Sequence, residues 1–194
     1  MLHRQAKTLR SGQIRAVLNH LESTRHPVRN RVIFQLSLRA GLRAKEIAEL
    51  EWRMVTDAEG RISEAVRLTD KASKGQSGGV VPMAAPLRQA IKALQQISPT
   101  AMGATRMIRT ERAASTSSQV IINLFAGWYE ALGFEGCSSH SGRRTFITMS
   151  ARNIGRFGGS LRDVQALARH SSLAMTQRYI EIDSRAMVRV VDGW

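Results

Sequence analysis

The stretch VRNRVIFQLSLRAG, residues 28–41, followed at once by LRAKEIAELEW, residues 42–52, decides how this chain is read. In the first part Val32, Ile33, Leu36 and Leu38 recur at helical spacing, and the run stops at Gly41, the residue best suited to a left-handed helix end. Arg43 follows the stop directly, and AKEIAELEW resumes as a short helix with Ile47 and Leu50 inward. The pattern sets a guanidinium just before a helix, with Glu46 three residues on and within reach of the same face.

Upstream, SGQIRAVLNHLES (11–23) places Ile14, Val17, Leu18 and Leu21 on one face of an amphipathic helix, with Ser11 available as its N-cap. Downstream, RMVTD (53–57), a turn over Asp57 to Gly60, and RISEAVRLTD (61–70) read as strands. Lys71 to Gly79 is polar and glycine-rich, and Val80 to Met83 resumes as an edge strand, because Pro82 cannot donate to an interior ladder. A helix with Leu87, Ile91 and Leu94 starts at Pro86 and is closed by Pro99. Residues 100–118 read mostly as loop, and Val120 to Leu132 as a helix ending at Gly133. His140 begins another helix through Phe146, Ile147 and Met149. Ser160 to Asp163 resembles a capping box for a helix over Val164 to Ala168, and two short helical pieces finish the chain. The expected fold class is α+β, mainly α-helical with a small antiparallel β-sheet, in a single domain spanning residues 1–194. Fold class alone names no function.

Charge narrows the field. Lys and Arg number 29 against 15 acids, a formal charge of +14 that no single tail holds. Such a surface attracts a polyanion, because each neutralised phosphate releases condensed counterions. A structural RNA-binding protein, or simply a solvated basic surface, fits the charge as well. No apolar run approaches the roughly 20 residues of a membrane span, and no secretion signal is visible. Cys137 is the only cysteine, which excludes an internal disulfide or a thiolate metal cluster and fits a reducing cytosol or nucleoid.

Four segments hold polar groups that apolar patterning does not explain. Besides Arg43, the run His140-Ser141-Gly142-Arg143 sets an imidazole and a guanidinium at helical i, i+3 spacing. Arginine supplies bidentate donors to phosphate oxygens, and histidine donates a hydrogen bond or relays a proton near neutral pH. In ARHSSLAMTQRYI, His170 precedes Tyr179 by nine residues, and Ser171 or Ser172 can cap the helix presenting the tyrosine. Tyr179 sits among Thr176, Gln177 and Arg178, a polar setting, whereas Tyr129 beside Trp128 looks like core. A phenol with its ordinary pKa of about 10 needs a base and nearby cations to act as a nucleophile. Lys74, in the turn Ser73-Lys74-Gly75, is an ammonium that could protonate a leaving oxygen, with Lys71 its rival. Taken singly, each segment also has an ordinary reading as a helix-start, capping or solubility residue.

Taken together and in order, these segments resemble the catalytic domain of the tyrosine recombinases, also called phage-type integrases. The matching stretches are AGLRAKEIAEL, Lys74-Gly75 followed by Val80-Val81-Pro82, HSGRR, and QALARHSSLAMTQRY. The resemblance implies metal-free transesterification at a DNA phosphodiester, with no cofactor. Tyr179 would be the nucleophile, leaving a 3′-phosphotyrosyl link and a free 5′-hydroxyl. Arg43, Arg143 and His170 would bind the phosphate, His140 would handle the proton, Lys74 would be the general acid and Glu46 would orient the site. It further implies double-stranded DNA recombination sites as partners, and four protomers on two sites, with a monomer in solution possible. The chain end after Tyr179, IEIDSRAMVRVVDGW, would dock on a neighbour or pack on its own domain.

Some positions depart from the family pattern. Gly142 stands where leucine is common, Arg144 where histidine is frequent, and Arg169 where glycine is usual. The helical DNA-clamping domain that usually precedes the first arginine is expected to be absent, either because the chain is a piece of a longer integrase or because it is a naturally short recombinase. Two other functions share these features: a DNA-binding regulator that has lost catalysis, and a type IB topoisomerase. The presence of every expected reactive group speaks against the first, the order and short length against the second.

Overall fold

The computed structural model describes residues 6–70, 78–98, 102–180, 188 and 191–192. In chain order the elements are α1 (Ser11–Glu22), α2 (Pro27–Ala40), α3 (Ala44–Ala48), a 3-10 turn (Trp52–Met54), β1 (Ala65–Leu68), β2 (Gly79–Pro82) and α4 (Ala85–Gln96). These are followed by α5 (Ser118–Ala131), α6 (Ser141–Asn153), a second 3-10 turn (Ile154–Phe157), α7 (Leu161–Ala168) and α8 (Leu173–Gln177). The strands β1 and β2 pair antiparallel, with Val66 opposite Val81. Among the described residues no helix is long and apolar enough to cross a membrane.

Helix α2 is the centre of the molecule. Every residue from Val32 to Leu38 is buried, so the helix has no solvent face along this stretch, and α1, α3, α4 and α6 pack around it. Burying an aliphatic or aromatic side chain contributes about 1.5–3 kcal/mol; Ile33, Phe34 and Leu36 all lie in this core. The cost is that Gln35 Oε1 and Ser37 Oγ are buried without a hydrogen-bond partner among the described residues.

Two close approaches fix how α6 crosses α2. Gly142 lies where a Cβ would meet Ser37 Oγ at 2.5 Å and Ser37 Cβ at 3.0 Å, so the departure from leucine has a steric reason. At the C-terminal end of α2, Gly41 has φ 61°, and a Cβ there would meet Phe146 Cδ1 of α6 at 2.5 Å. The left-handed end brings the Leu42 N–H to the Leu36 carbonyl at 3.1 Å and turns the chain toward Arg43.

Two local expectations are corrected. Residues 53–57 do not form a strand. The later loop takes the start of the segment, Trp52 N–H donating to Thr105 O at 3.1 Å and Arg53 N–H to Gly103 O at 2.8 Å, while Met54 and Val55 donate back to Glu51 and Trp52 in a 3-10 turn that buries Trp52 and Met54. Only the single bridge Thr56–Ile62 survives of the expected hairpin start. Ser11 is the first helical residue rather than the cap. Arg10 holds the N-cap position, and its N–H donates to Gln13 Oε1 at 3.0 Å.

Candidate active site

The site is built where four helix ends meet, the C-terminal ends of α2 and α7 and the N-terminal ends of α3 and α6. Arg43 is the N-cap residue of α3, and Glu46, at the third helical position, accepts its backbone N–H at 2.8 Å and its Nη1–H at 2.8 Å. A carboxylate in this place answers both the unpaired N–H groups of a helix start and a guanidinium. Glu46 is completely buried, which by itself raises a carboxyl pKa, but the charges of Arg169 and Arg43 and the Arg43 N–H outweigh burial and hold it below its ordinary value.

Arg143 enters from the first turn of α6. Its Nη1 donates to the Gly41 carbonyl at the end of α2, and its Nη2 to the Ala168 carbonyl at the end of α7, the latter at 2.6 Å. Carbonyls at helix C-termini lack intrahelical partners and carry partial negative charge, so one guanidinium joins two helix ends. Burial, then the neighbouring Arg43, lowers the Arg143 pKa to about 10, with Glu46 acting the other way, so the group remains charged at neutral pH. Tyr179 also lies within its electrostatic range.

Past Ala168 the chain turns through Arg169, whose φ is 51°, and delivers His170. The imidazole is buried; its Nδ1 lies 3.0 Å from Thr176 Oγ1 of α8, and its carbonyl accepts from Gln165 Nε2 at 3.1 Å. Burial first, then the charges of Arg143, Arg43 and Arg169, lower its pKa to about 4, so it is neutral at pH 7. Ser172 caps α8 by accepting the Met175 N–H, and one residue beyond the helix C-cap Tyr179 stacks on His170, with ring centroids 5.3 Å apart and an interplanar angle of 26°. Thr148 of α6 donates to the Tyr179 carbonyl at 3.2 Å, and the Tyr179 ring packs on the small cluster of Ile147, Val164 and Ala168.

The structure therefore brings together Arg43, Glu46, Arg143, His170 and Tyr179, which are spread over 137 positions of sequence. His140 is at the N-cap of α6 and exposed, one turn before the buried Arg143. Lys74 and its rival Lys71 lie outside the described residues; the strands flanking them end at Leu68 and begin again at Gly79. Tyr129 is core, as expected, and burial pushes its phenol well above the usual range.

Two residues beyond those singled out by sequence join the site. Arg169 donates from Nη2 to Glu46 Oε2 at 2.6 Å. The Arg144 guanidinium carbon lies 5.9 Å from the centroid of the Tyr179 ring, a cation–π separation. Arg144 also lines an open groove of about 580 Å³ together with Lys7, Arg10, Gln13 and Glu135, so one arginine is shared between that groove and the tyrosine ring. Sequence marked both arginines as departures from a pattern, but neither signals its partners, which are 123 positions distant for Arg169 and Glu46.

Known proteins share sequence and fold with this chain. The XerC tyrosine recombinase of Rhizobium meliloti (strain 1021) is 28% identical over 166 residues, covering 84% of this chain and 49% of the relative. That of Shewanella amazonensis (strain ATCC BAA-1098 / SB2B) is 30% identical over 197 residues, covering 98% and 62%. The chain thus spans about half the length of most of the curated relatives it matches. In fold it resembles the XerA recombinase crystal structure, with a TM-score of 0.75, 20% identity, and coverage of 97% of this chain and 65% of that one. The Tn1549 transposon integrase in complex with transposon right end DNA gives a TM-score of 0.76 at 18% identity, covering 99% and 66%. At such identities the structures speak for the fold alone. The phage integrase family model matches residues 7–185, from the basic groove through the tyrosine, and to that family the chain belongs.

Proposed function

We propose that this chain is the DNA-cutting and rejoining domain of a site-specific tyrosine recombinase, with Tyr179 as nucleophile. The observation that carries the reading is the convergence of two guanidiniums, Arg43 and Arg143, with a neutral imidazole and a half-buried tyrosine stacked on it. In the proposed reaction the Tyr179 oxygen attacks the scissile phosphorus as the bond to the 5′-oxygen breaks. The phenolic proton leaves through His140, and Lys74 protonates the departing 5′-oxygen. Arg43 and Arg143 hold the nonbridging oxygens as negative charge grows on them, where fixed donors act most strongly. With the Thr176 hydroxyl donating to Nδ1, His170 carries its proton on Nε2 and offers it to the phosphate. Glu46 orients the site by holding Arg43 and Arg169. A 5′-hydroxyl from a partner strand then attacks the phosphotyrosyl ester, returning Tyr179, so the ester conserves the energy of the original bond.

The partner in this reading is a pair of double-stranded DNA sites bound by four protomers in the cytoplasm, at the nucleoid. The formal charge of +14 supports phosphate binding, and Arg144, set between the Tyr179 ring and a groove shared with Lys7 and Arg10, puts one of those cations beside the nucleophile. Residues 1–194 are read as a single catalytic domain. The test is covalent trapping: wild type and Tyr179→Phe are incubated with labelled, nicked DNA from the flanks of the protein's own gene. An SDS-resistant adduct with wild type alone is the expected result. DNA binding without an adduct in either protein would favour a regulator that binds DNA and does not cut it.

A further inference from the structure

Arg169 combines two unfavourable features in one residue. It is the only non-glycine residue with positive φ among the described residues, a conformation that costs an L-residue energy unless its surroundings enforce it. Its side chain is also 4% exposed, and although Nη2 is paired with Glu46, Nε and Nη1 have no hydrogen-bond partner among the described residues. Buried charged donors are rarely left unmet, because each one forfeits its hydration with nothing in return. The stem of the side chain lies against β2, where a Cβ on Gly79 would be 3.3 Å from Arg169 Cδ. The guanidinium is close enough to Arg143 and His170 to act on both electrostatically.

We propose that Arg169 is a further cationic residue of this site, its sealed guanidinium acting on the bound phosphate through its charge and through the Glu46 pair rather than by direct contact. The inference rests on the recombinase reading for the identity of that phosphate. Three guanidiniums, those of Arg43, Arg143 and Arg169, face the single carboxylate of Glu46, and His170 is neutral at pH 7. Two positive charges are thus uncompensated in the free protein. A phosphodiester carries one negative charge, and its pentacoordinate transition state carries formally two. The extra cation therefore favours the transition state over the ground state, which is the difference that accelerates a reaction. A glycine at position 169 would satisfy the backbone and leave only one charge uncompensated.

The test uses inorganic orthovanadate, tetrahedral when free and pentacoordinate once an oxygen such as that of Tyr179 adds to it, and measures its affinity from the rise in melting temperature at constant ionic strength. Wild type, R169G, R169M and R169K are compared as full 194-residue chains. Vanadate affinity is expected to fall about tenfold in R169G and R169M, as for the loss of a nearby buried charge, and to be partly retained in R169K, which keeps the charge. The melting temperature without vanadate reports the structural share of the Glu46 pair; the vanadate increment reports the ligand share. Equal affinities in wild type, R169G and R169M would overturn the proposal, as would the absence of any vanadate effect on wild type. If vanadate affinity depends on Arg169 while Tyr179 yields no DNA adduct, the recombinase reading fails and the anion site stands.

Discussion

Replacing Gly142 with alanine tests the helix crossing on which the site depends. The added Cβ would lie 2.5 Å from Ser37 Oγ, 3.0 Å from Ser37 Cβ and 3.3 Å from Leu38 N. A hydroxyl can rotate away, but Ser37 Cβ and the Leu38 backbone belong to the central buried helix α2. Overpacking of this kind costs about 1–3 kcal/mol, whereas alanine for glycine within a helix contributes about 0.5–1 kcal/mol in the other direction. The expected net loss is about 1–2 kcal/mol, equivalent to a fall in melting temperature of about 2–8 °C for a chain of this size. Gly127 in α5 is the control, since nothing lies within 4 Å of its virtual Cβ; Gly127→Ala is expected to stabilise. Ser37→Ala, which removes an unpaired buried oxygen, should restore part of the Gly142→Ala loss in the double variant, a coupling readable from thermal or urea melts. Because α6 carries Arg143 to the Gly41 carbonyl, the single variant should also trap less DNA adduct. A Gly142→Ala protein that melts higher than wild type would refute the close crossing.

Further outcomes follow from the same structure. Between pH 6.5 and about 4 the unfolded chain binds a proton at His170 that the folded chain does not, so this residue's contribution is fully present above pH 6.5 and is lost as pH falls toward 4. Urea melts at pH 7 and pH 5 should differ by about 2 kcal/mol from this source, and His170→Gln should remove that part of the slope; an unchanged slope would contradict the assignment. Tyr129→Phe should leave stability unchanged or raise it by about 1 kcal/mol, because the hydroxyl is buried without a partner among the described residues, and adduct formation should persist. A clear loss of stability on calorimetry would mean that the hydroxyl is bonded after all.

The parts of the fold set by short-range chemistry were readable from sequence. Gly41 and Gly133, both at positive φ, close helices where the pattern stops, and the Ser160 N–H and hydroxyl both meet Asp163, at 2.7 and 2.8 Å, as the capping box required. Residues 53–57 depart from the expected strand because alternation of apolar and polar residues is a local signal, while the loop at 102–107 takes the N–H groups of Trp52 and Arg53 and the chain coils between them and Val55. The candidate site divides in the same way. Arg43 with Glu46 is a local pair, visible at i, i+3 spacing. The placement of Arg143 on two helix ends, and the burial of Arg169 against Glu46, depend on contacts over 25 to 123 positions that no window of sequence contains. Gly142 stands out in sequence, but its reason, Ser37 directly beneath it, is a contact between distant helices.

The most direct measurement of the central claim is the identity of the covalently attached residue. Trapped adduct is digested with protease and nuclease, and the nucleotide-bearing peptide is sequenced by mass spectrometry, with the DNA end groups determined in parallel. The account predicts a phosphotyrosine at Tyr179 esterified to the 3′ end of the cleaved strand, with a free 5′-hydroxyl on the other fragment. Attachment at Tyr129, at a serine or histidine, or through a 5′-phosphate would contradict it.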